Sequence, residues 1–167
     1  MRTSADGIAM LHHVEQLRLK AYPDPATGGA PWTIGYGHTG PEVYPGLVWT
    51  PEQAEAAFER RLREEFEPAV MRALTVETAQ CEFDAMVCWA YNVGVGNMKS
   101  STLMRLHNAG RRDEAAEQFR VWKRAGGKDC TIRSNNCYGI IRRREMERAR
   151  YLGVTGAEAI AIYEATK

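Results

Sequence analysis

Glu15, Asp24 and Thr33 are the residues whose types and spacing can do chemistry together. Hydrolysis of a glycosidic bond needs an acid to protonate the departing oxygen, and a carboxylate or held water on the other face of the sugar. Glu15 fits the acid: it is predicted to end a helix, where the negative end of the helix dipole disfavours another carboxylate charge. Asp24, in the stiff run Tyr22-Pro23-Asp24-Pro25, fits a carboxylate that stays ionised and orients or deprotonates water. Thr33 opens the run Thr33-Ile34-Gly35-Tyr36-Gly37-His38, where alternate residues face opposite sides and glycines permit close backbone approach, so its hydroxyl can fix that water. Each residue also has a plainer reading: a solvated carboxylate at a helix end, a turn aspartate between prolines, and for His38 a hydrogen-bonded structural histidine. The residues alone leave both readings open.

The elements that must position these groups can be read from periodicity and turn chemistry. Ser4 can cap a first helix whose apolar residues Ile8, Leu11 and Val14 share a face. Prolines and glycines then alternate around the β-prone runs Trp32-Thr33-Ile34 and Leu47-Val48-Trp49, which predicts a small antiparallel sheet with loops. Thr50-Pro51-Glu52-Gln53 supplies an N-cap, a proline in the first turn and a capping-box glutamine for a helix expected to run to Glu67 and stop at Pro68. Further helices are predicted near 78–92, 101–108, 112–124, 139–152 and 156–165. The expected fold class is α+β in one domain over 1–167. About 17–50 would form a small β lobe, 1–16 and 68–167 a larger helical lobe, and 51–67 an inter-lobe helix, with a cleft between the lobes.

Bulk properties narrow the function classes. With 22 basic against 21 acidic residues the net charge is +1, which gives no argument for nucleic acid or an anionic membrane. Arg142, Arg143 and Arg144 are adjacent, but Glu145 and Glu147 follow them, as on a solvated helix face with one inward arginine. No apolar run approaches membrane-spanning length, and no secretion signal is expected in the opening residues. His12 and His13 fall on different helix faces, poor geometry for a shared metal, so no metal or cofactor is expected. Cys81 and Cys88 are too far apart along one helix to bridge, whereas Cys130 and Cys137 flank a polar loop that can close on itself. A fully reduced set of four remains the plain alternative.

Glu15 through Asp24, followed by Thr33-Ile34-Gly35-Tyr36-Gly37-His38-Thr39, resembles the active-site signature of the phage lysozymes, glycoside hydrolase family 24. The likeness continues through Phe83-Asp84-Ala85-Met86-Val87, Tyr91-Asn92-Val93-Gly94, Ser100-Ser101-Thr102-Leu103, Trp122-Lys123-Arg124 and Gly139-Ile140-Ile141-Arg142. The resemblance implies a cofactor-free N-acetylmuramidase cutting the β-1,4 bond between N-acetylmuramic acid and N-acetylglucosamine. Glu15 would be the acid, Asp24 and Thr33 would manage water, and His38 and Arg142 would support the glutamate region. Tyr91, Asn92, Ser101 and Thr102 would contact the glycan, with helix packing and capping as the competing reading. Two departures stand out: Gln16 replaces a glycine usual after the acid, and the loop from Asp24 to Thr33 is longer than in the best-known members. The surroundings of Cys130 and Cys137 resemble endolysins acting in the periplasm of Gram-negative hosts. The implied protein is a monomer, made in the host cytoplasm, with peptidoglycan glycan strands as its partner. It would depend on a holin if the chain is complete, or else have lost an N-terminal signal-anchor.

Overall fold

A computed structural model describes residues 1–25 and 27–167. The α+β class is as expected, and two compact units divide the chain: His12–Glu65, and Met1–Leu11 together with Phe66–Lys167. The first division falls inside helix α1 (Ala5–Val14), the second inside the long helix that follows Thr50.

The unit His12–Glu65 is built on a three-stranded antiparallel sheet, β1 (Arg18–Tyr22), β2 (Thr33–Gly35) and β3 (His38–Thr39), in the order β1-β2-β3. Its core is Ala21, Ile34 and Val43, covered by Trp32, Leu47 and Trp49. The run at Leu47-Val48-Trp49, expected as a strand, makes only an isolated bridge, Lys20 to Val48. Thr33 pairs instead with Tyr22 of β1 and Thr39 of β3, and the charged, exposed residues Arg18 and Lys20 disguise β1 as a strand. Helix α2 (Pro51–Arg61) starts as its sequence requires: Thr50 Oγ accepts from Gln53 N at 3.2 Å and Gln53 Oε1 accepts from Thr50 N at 2.8 Å.

That helix does not stop at Pro68. It widens into a π-helical stretch at Leu62–Phe66 and continues as α3 (Glu67–Ala73), with Pro68 in the first turn. A proline inside an α-helix would clash with the carbonyl four residues back, and the wider π turn is where that ladder is rearranged.

In the helical unit, α4 (Gln80–Val93) is buried continuously from Phe83 to Tyr91, as befits a helix apolar on all sides. Around it lie α5 (Val95–Lys99), α6 (Thr102–Asn108), α7 (Arg112–Gln118), α8 (Gly139–Tyr151) and α9 (Gly156–Ala165). Asp84, the one carboxylate in the buried stretch of α4, accepts from Ser4 Oγ at 2.5 Å and from Arg150 at 2.7 Å. Ser4 also accepts from Gly7 N at 3.4 Å, so the residue that caps α1 anchors it to α4.

A further expectation is corrected. The helix predicted over 112–124 ends at Gln118, passes through a short 3-10 turn and gives way to a hairpin, β4 (Arg124–Ala125) and β5 (Lys128–Asp129). Gly126 and Gly127, with φ of 54° and 77°, supply the turn that favours such hairpins. The segment between the helices predicted near 78–92 and 101–108 is itself partly helical, forming α5. Cys130 and Cys137 are joined by a disulfide, while Cys81 and Cys88 form none. No described helix is long and apolar enough to cross a membrane.

Candidate active site

Glu15 follows the last residue of α1 directly and is half-buried. From there the chain enters β1, whose last residue, Tyr22, pairs with Thr33, the first residue of β2. Asp24 lies two residues beyond Tyr22 and Thr33 stands opposite it, so strand register alone brings these two to one end of the sheet. At the other end of β2, Ile34 pairs with His38 and the chain reverses through Gly35, Tyr36 and Gly37. Gly35 and Gly37 have φ of 65° and 74°, the left-handed region that glycine tolerates. A Cβ at Gly37 would lie 3.6 Å from Glu15 Oε2, so the glutamate carboxylate rests against this turn. Glu15, Asp24 and Thr33 therefore belong to one sheet and its flanking turns.

The turn is held from two sides. Arg61 of α2 donates to the Gly37 carbonyl oxygen at 3.1 Å. The ring of Tyr36 stacks on His12, centroids 4.8 Å apart, and His12 also packs against Phe58 at 4.7 Å. His12 Nε2 lies 3.3 Å from Glu55. Burial, together with the charge of Glu55 and a hydrogen bond to it, pushes the Tyr36 phenol above its ordinary value. From the sequence His12 is weighed only as a metal ligand; its place one helical turn before Glu15 is visible there, but its partners Tyr36, Glu55 and Phe58 cannot be read from spacing.

The long loop after Asp24 folds back onto that residue. Asp24 N donates to the Gly29 carbonyl at 3.0 Å, and the Asp24 carbonyl accepts from Gly28 N at 2.7 Å and Thr27 N at 3.2 Å. The Thr27 hydroxyl lies 3.4 Å from Asp24 Oδ2. Extra length is thus spent on pinning the aspartate backbone; Ala26 in this loop lies outside the described residues.

The side-chain contacts of His38 and Arg142, for which the resemblance implied support of the glutamate region, are with other residues. The His38 ring bonds Glu42 at 2.5 Å and tilts against Trp49 at 5.3 Å; neither partner is Glu15. This contact holds the Glu42 carboxyl below its usual range. Arg142 donates to the Tyr163 carbonyl at 2.8 Å and to Glu164 at 3.1 Å, and lies over the Tyr163 ring, so it is committed to α9. One-residue steps along a helix turn the side chain by about 100°, and the inward arginines are the next two. Arg143 and Arg144 are buried and share Glu147, which is 0% exposed. Arg144 also donates to the Trp122 carbonyl at 3.0 Å and to Asn92 Oδ1.

Of the residues expected to contact glycan, Asn92 lines a concavity of about 300 Å³ with Asn97, Trp122, Arg124 and Arg144. Tyr91 is buried and packs on Phe66 with centroids 4.7 Å apart. Ser101 is a buried cap, donating to Met98 O at 2.7 Å and accepting from Met104 N at 3.1 Å. Thr102 is exposed and lines a different concavity. The competing reading, packing and capping, therefore describes Tyr91 and Ser101.

Comparison with known proteins bears on what this arrangement is. The chain is 41% identical over 152 residues to the endolysin of Bacillus phage B103, covering 91% of this chain and 54% of that protein. It thus spans about half the length of that relative, and also 54% of the endolysin of Bacillus phage PZA, 40% identical to it. Among solved structures it resembles the endolysin of the Escherichia coli phage FAHEc1, with TM-score 0.77 and 38% identity over 92% of this chain and 94% of that one. It also resembles the muramidase domain of SpmX from Asticaccaulis excentricus, with TM-score 0.78 and 30% identity over 92% and 99%. The family model described as phage lysozyme matches residues 12–147, a stretch that includes Glu15, Asp24, Thr33 and the Arg144–Asn92 pair. With that match over most of its length and an α+β fold shared with solved phage enzymes, the chain belongs to the phage lysozyme family.

Proposed function

We propose that the protein is an endolysin that hydrolyses the β-1,4 bond between N-acetylmuramic acid and N-acetylglucosamine in peptidoglycan. The observation that carries this is the sheet register: Tyr22 pairs with Thr33, Asp24 follows two residues later, and Gly37 of the same sheet abuts Glu15 Oε2. Glu15 donates a proton to the departing glycosidic oxygen. The Thr33 hydroxyl and Asp24 orient water for attack at the anomeric carbon, and the Asp24 carboxylate takes up its proton. His12, Tyr36 and Arg61 act on Glu15 as positioning residues through the Gly37 turn. In the support role implied for Arg142, Arg144 is the better candidate, because it orients Asn92, whose amide suits an acetamido sugar.

The two compact units are read as the lobes of one lysozyme domain. The Cys130–Cys137 disulfide supports action in an oxidising compartment, the periplasm of a Gram-negative host, after synthesis in the cytoplasm. Access through a holin and a monomeric state belong to the same proposal.

The test is mass spectrometry of purified peptidoglycan digested by the protein. Reducing muramic acid ends are expected. Anhydro-muramic ends would replace the hydrolase with a transglycosylase, and undigested glycan would reduce the protein to a wall-binding module.

A further inference from the structure

Arg72, Lys99 and Arg105 line one concavity of about 520 Å³ on the helical unit, together with Ser100, Thr102 and Asn108. Several arginines elsewhere on this unit hold carboxylates: Arg112 bonds Glu82 at 2.8 Å, Arg120 bonds Glu145 at 2.7 Å and Arg148 bonds Glu117 at 2.5 Å. Arg72, Lys99 and Arg105 have no such partner among the described residues. The sequence explains why. No aspartate or glutamate occurs from 85 to 112 or from 68 to 76, the two stretches that supply every wall of the concavity. In a chain whose net charge is +1, three unneutralised cations around one depression make a local positive field that global charge conceals.

The depression is also built to keep its shape. Asn108 Nδ2 donates to the Ala73 carbonyl at 2.8 Å while its Oδ1 accepts from Thr75 N at 3.0 Å, so one side chain ties the end of α3 to the end of α6. The Ser100 hydroxyl is spent on the Gly96 carbonyl at 3.2 Å. The Thr102 hydroxyl, exposed at the rim, has no partner among the described residues.

We infer that this concavity binds a phosphate group carried on a sugar or polyol unit of a bacterial envelope glycan. Two guanidinium forks, an ammonium and a hydroxyl offer more donors and charge than one carboxylate can use, whereas the oxygens of a phosphate match them. A concave site of this volume receives one protruding unit; a bilayer surface would meet a flat or convex basic face. The envelope source rests on the proposed wall-hydrolysing function, but the phosphate chemistry does not. Thr102 thereby passes from glycan contact to phosphate ligand.

The experiment titrates the intact, isotope-labelled protein with glucosamine 6-phosphate, glucosamine and acetate, following backbone amide signals. Saturable shifts at Arg72 and from Lys99 to Arg105 are expected with the phosphorylated sugar only, with affinity about tenfold weaker, or lower still, in the R72Q/R105Q double variant. Equal responses to glucosamine or acetate, or unchanged affinity in the double variant, would overturn the site. Preferential sedimentation with phosphatidylglycerol vesicles, without a response to the sugar phosphate, would overturn it in favour of a membrane contact. Hydrolysis of unphosphorylated peptidoglycan by the double variant is expected to match the parent, so loss of phosphate binding and failure of the hydrolase reading give different results.

Discussion

The two units place their polar groups by different means. In His12–Glu65 the candidate catalytic residues are set by backbone: strand register pairs Thr33 with Tyr22, two residues before Asp24, and a turn through two left-handed glycines meets Glu15. In the helical unit the polar groups are set by buried charge: Arg143 and Arg144 share the fully buried Glu147, and Arg144 passes that order on to Asn92. A backbone-built site tolerates trimming of its neighbours but resists an added Cβ at a left-handed position. A charge-built site accepts small shifts but not the loss of a partner, because an unpaired buried ion has no solvent to turn to.

The comparison can be broken by substitution. The largest effect is expected for Glu147→Ala, which removes the buried carboxylate that two buried guanidiniums share and should cost about 3–5 kcal/mol in denaturant unfolding. A loss below about 1 kcal/mol would show that the buried charges are not what organises this unit.

The helical unit should also be the acid-sensitive one. Burial, with Arg112 adding repulsion, pushes the His107 imidazole down to about 4, and its Nδ1 lies 2.6 Å from the Tyr151 hydroxyl. A base whose folded value is depressed favours folding at pH above its ordinary value of 6.5, and that contribution is lost as pH falls through about 4. Between those pH values this one group should account for on the order of 3 kcal/mol. The urea midpoint of the parent should therefore fall relative to that of His107→Gln as pH drops from 6.5 to about 4. Parallel curves would remove His107 from the pH response.

On the sheet side, Glu15→Gln should lose about a hundredfold or more in turnover while unfolding at the same temperature, since an amide cannot supply the proton. Near-normal digestion by the folded variant would remove Glu15 from the acid role. The smallest effect sharpens the backbone argument. Gly37→Ala, at φ 74°, should cost about 1 kcal/mol and several-fold in turnover through the position of Glu15. Gly29→Ala, where φ is ordinary and the space open, should change neither. Equal behaviour of the two variants would mean that the turn does not position the acid.

Much of the fold was legible because it depends on local rules. Thr50 to Gln53 reads directly as a helix start, and the helix predicted near 78–92 corresponds to α4. The Glu15, Asp24 and Thr33 group was legible as residue types, and the resemblance supplied the roles. Local rules failed where a tertiary partner decided the outcome. Pro68 reads as a stop, but the helix absorbs it through a π turn; no local signal singles out Arg18–Tyr22 as a strand, yet it pairs with β2.

What the sequence determined by itself, then, was the identity of the chemical groups, the helix starts and the turns that need glycine, since each depends on a few neighbouring residues. Tertiary structure alone decided which arginine faces inward, with Arg142 taken by Tyr163 and Glu164 and Arg144 by Glu147 and Asn92. It alone gathered Arg72, Lys99 and Arg105 around one depression. Three adjacent arginines are equivalent to any local rule. They differ only in where a rotation of about 100° per residue points each one, and that direction has meaning only once the neighbouring helices are in place.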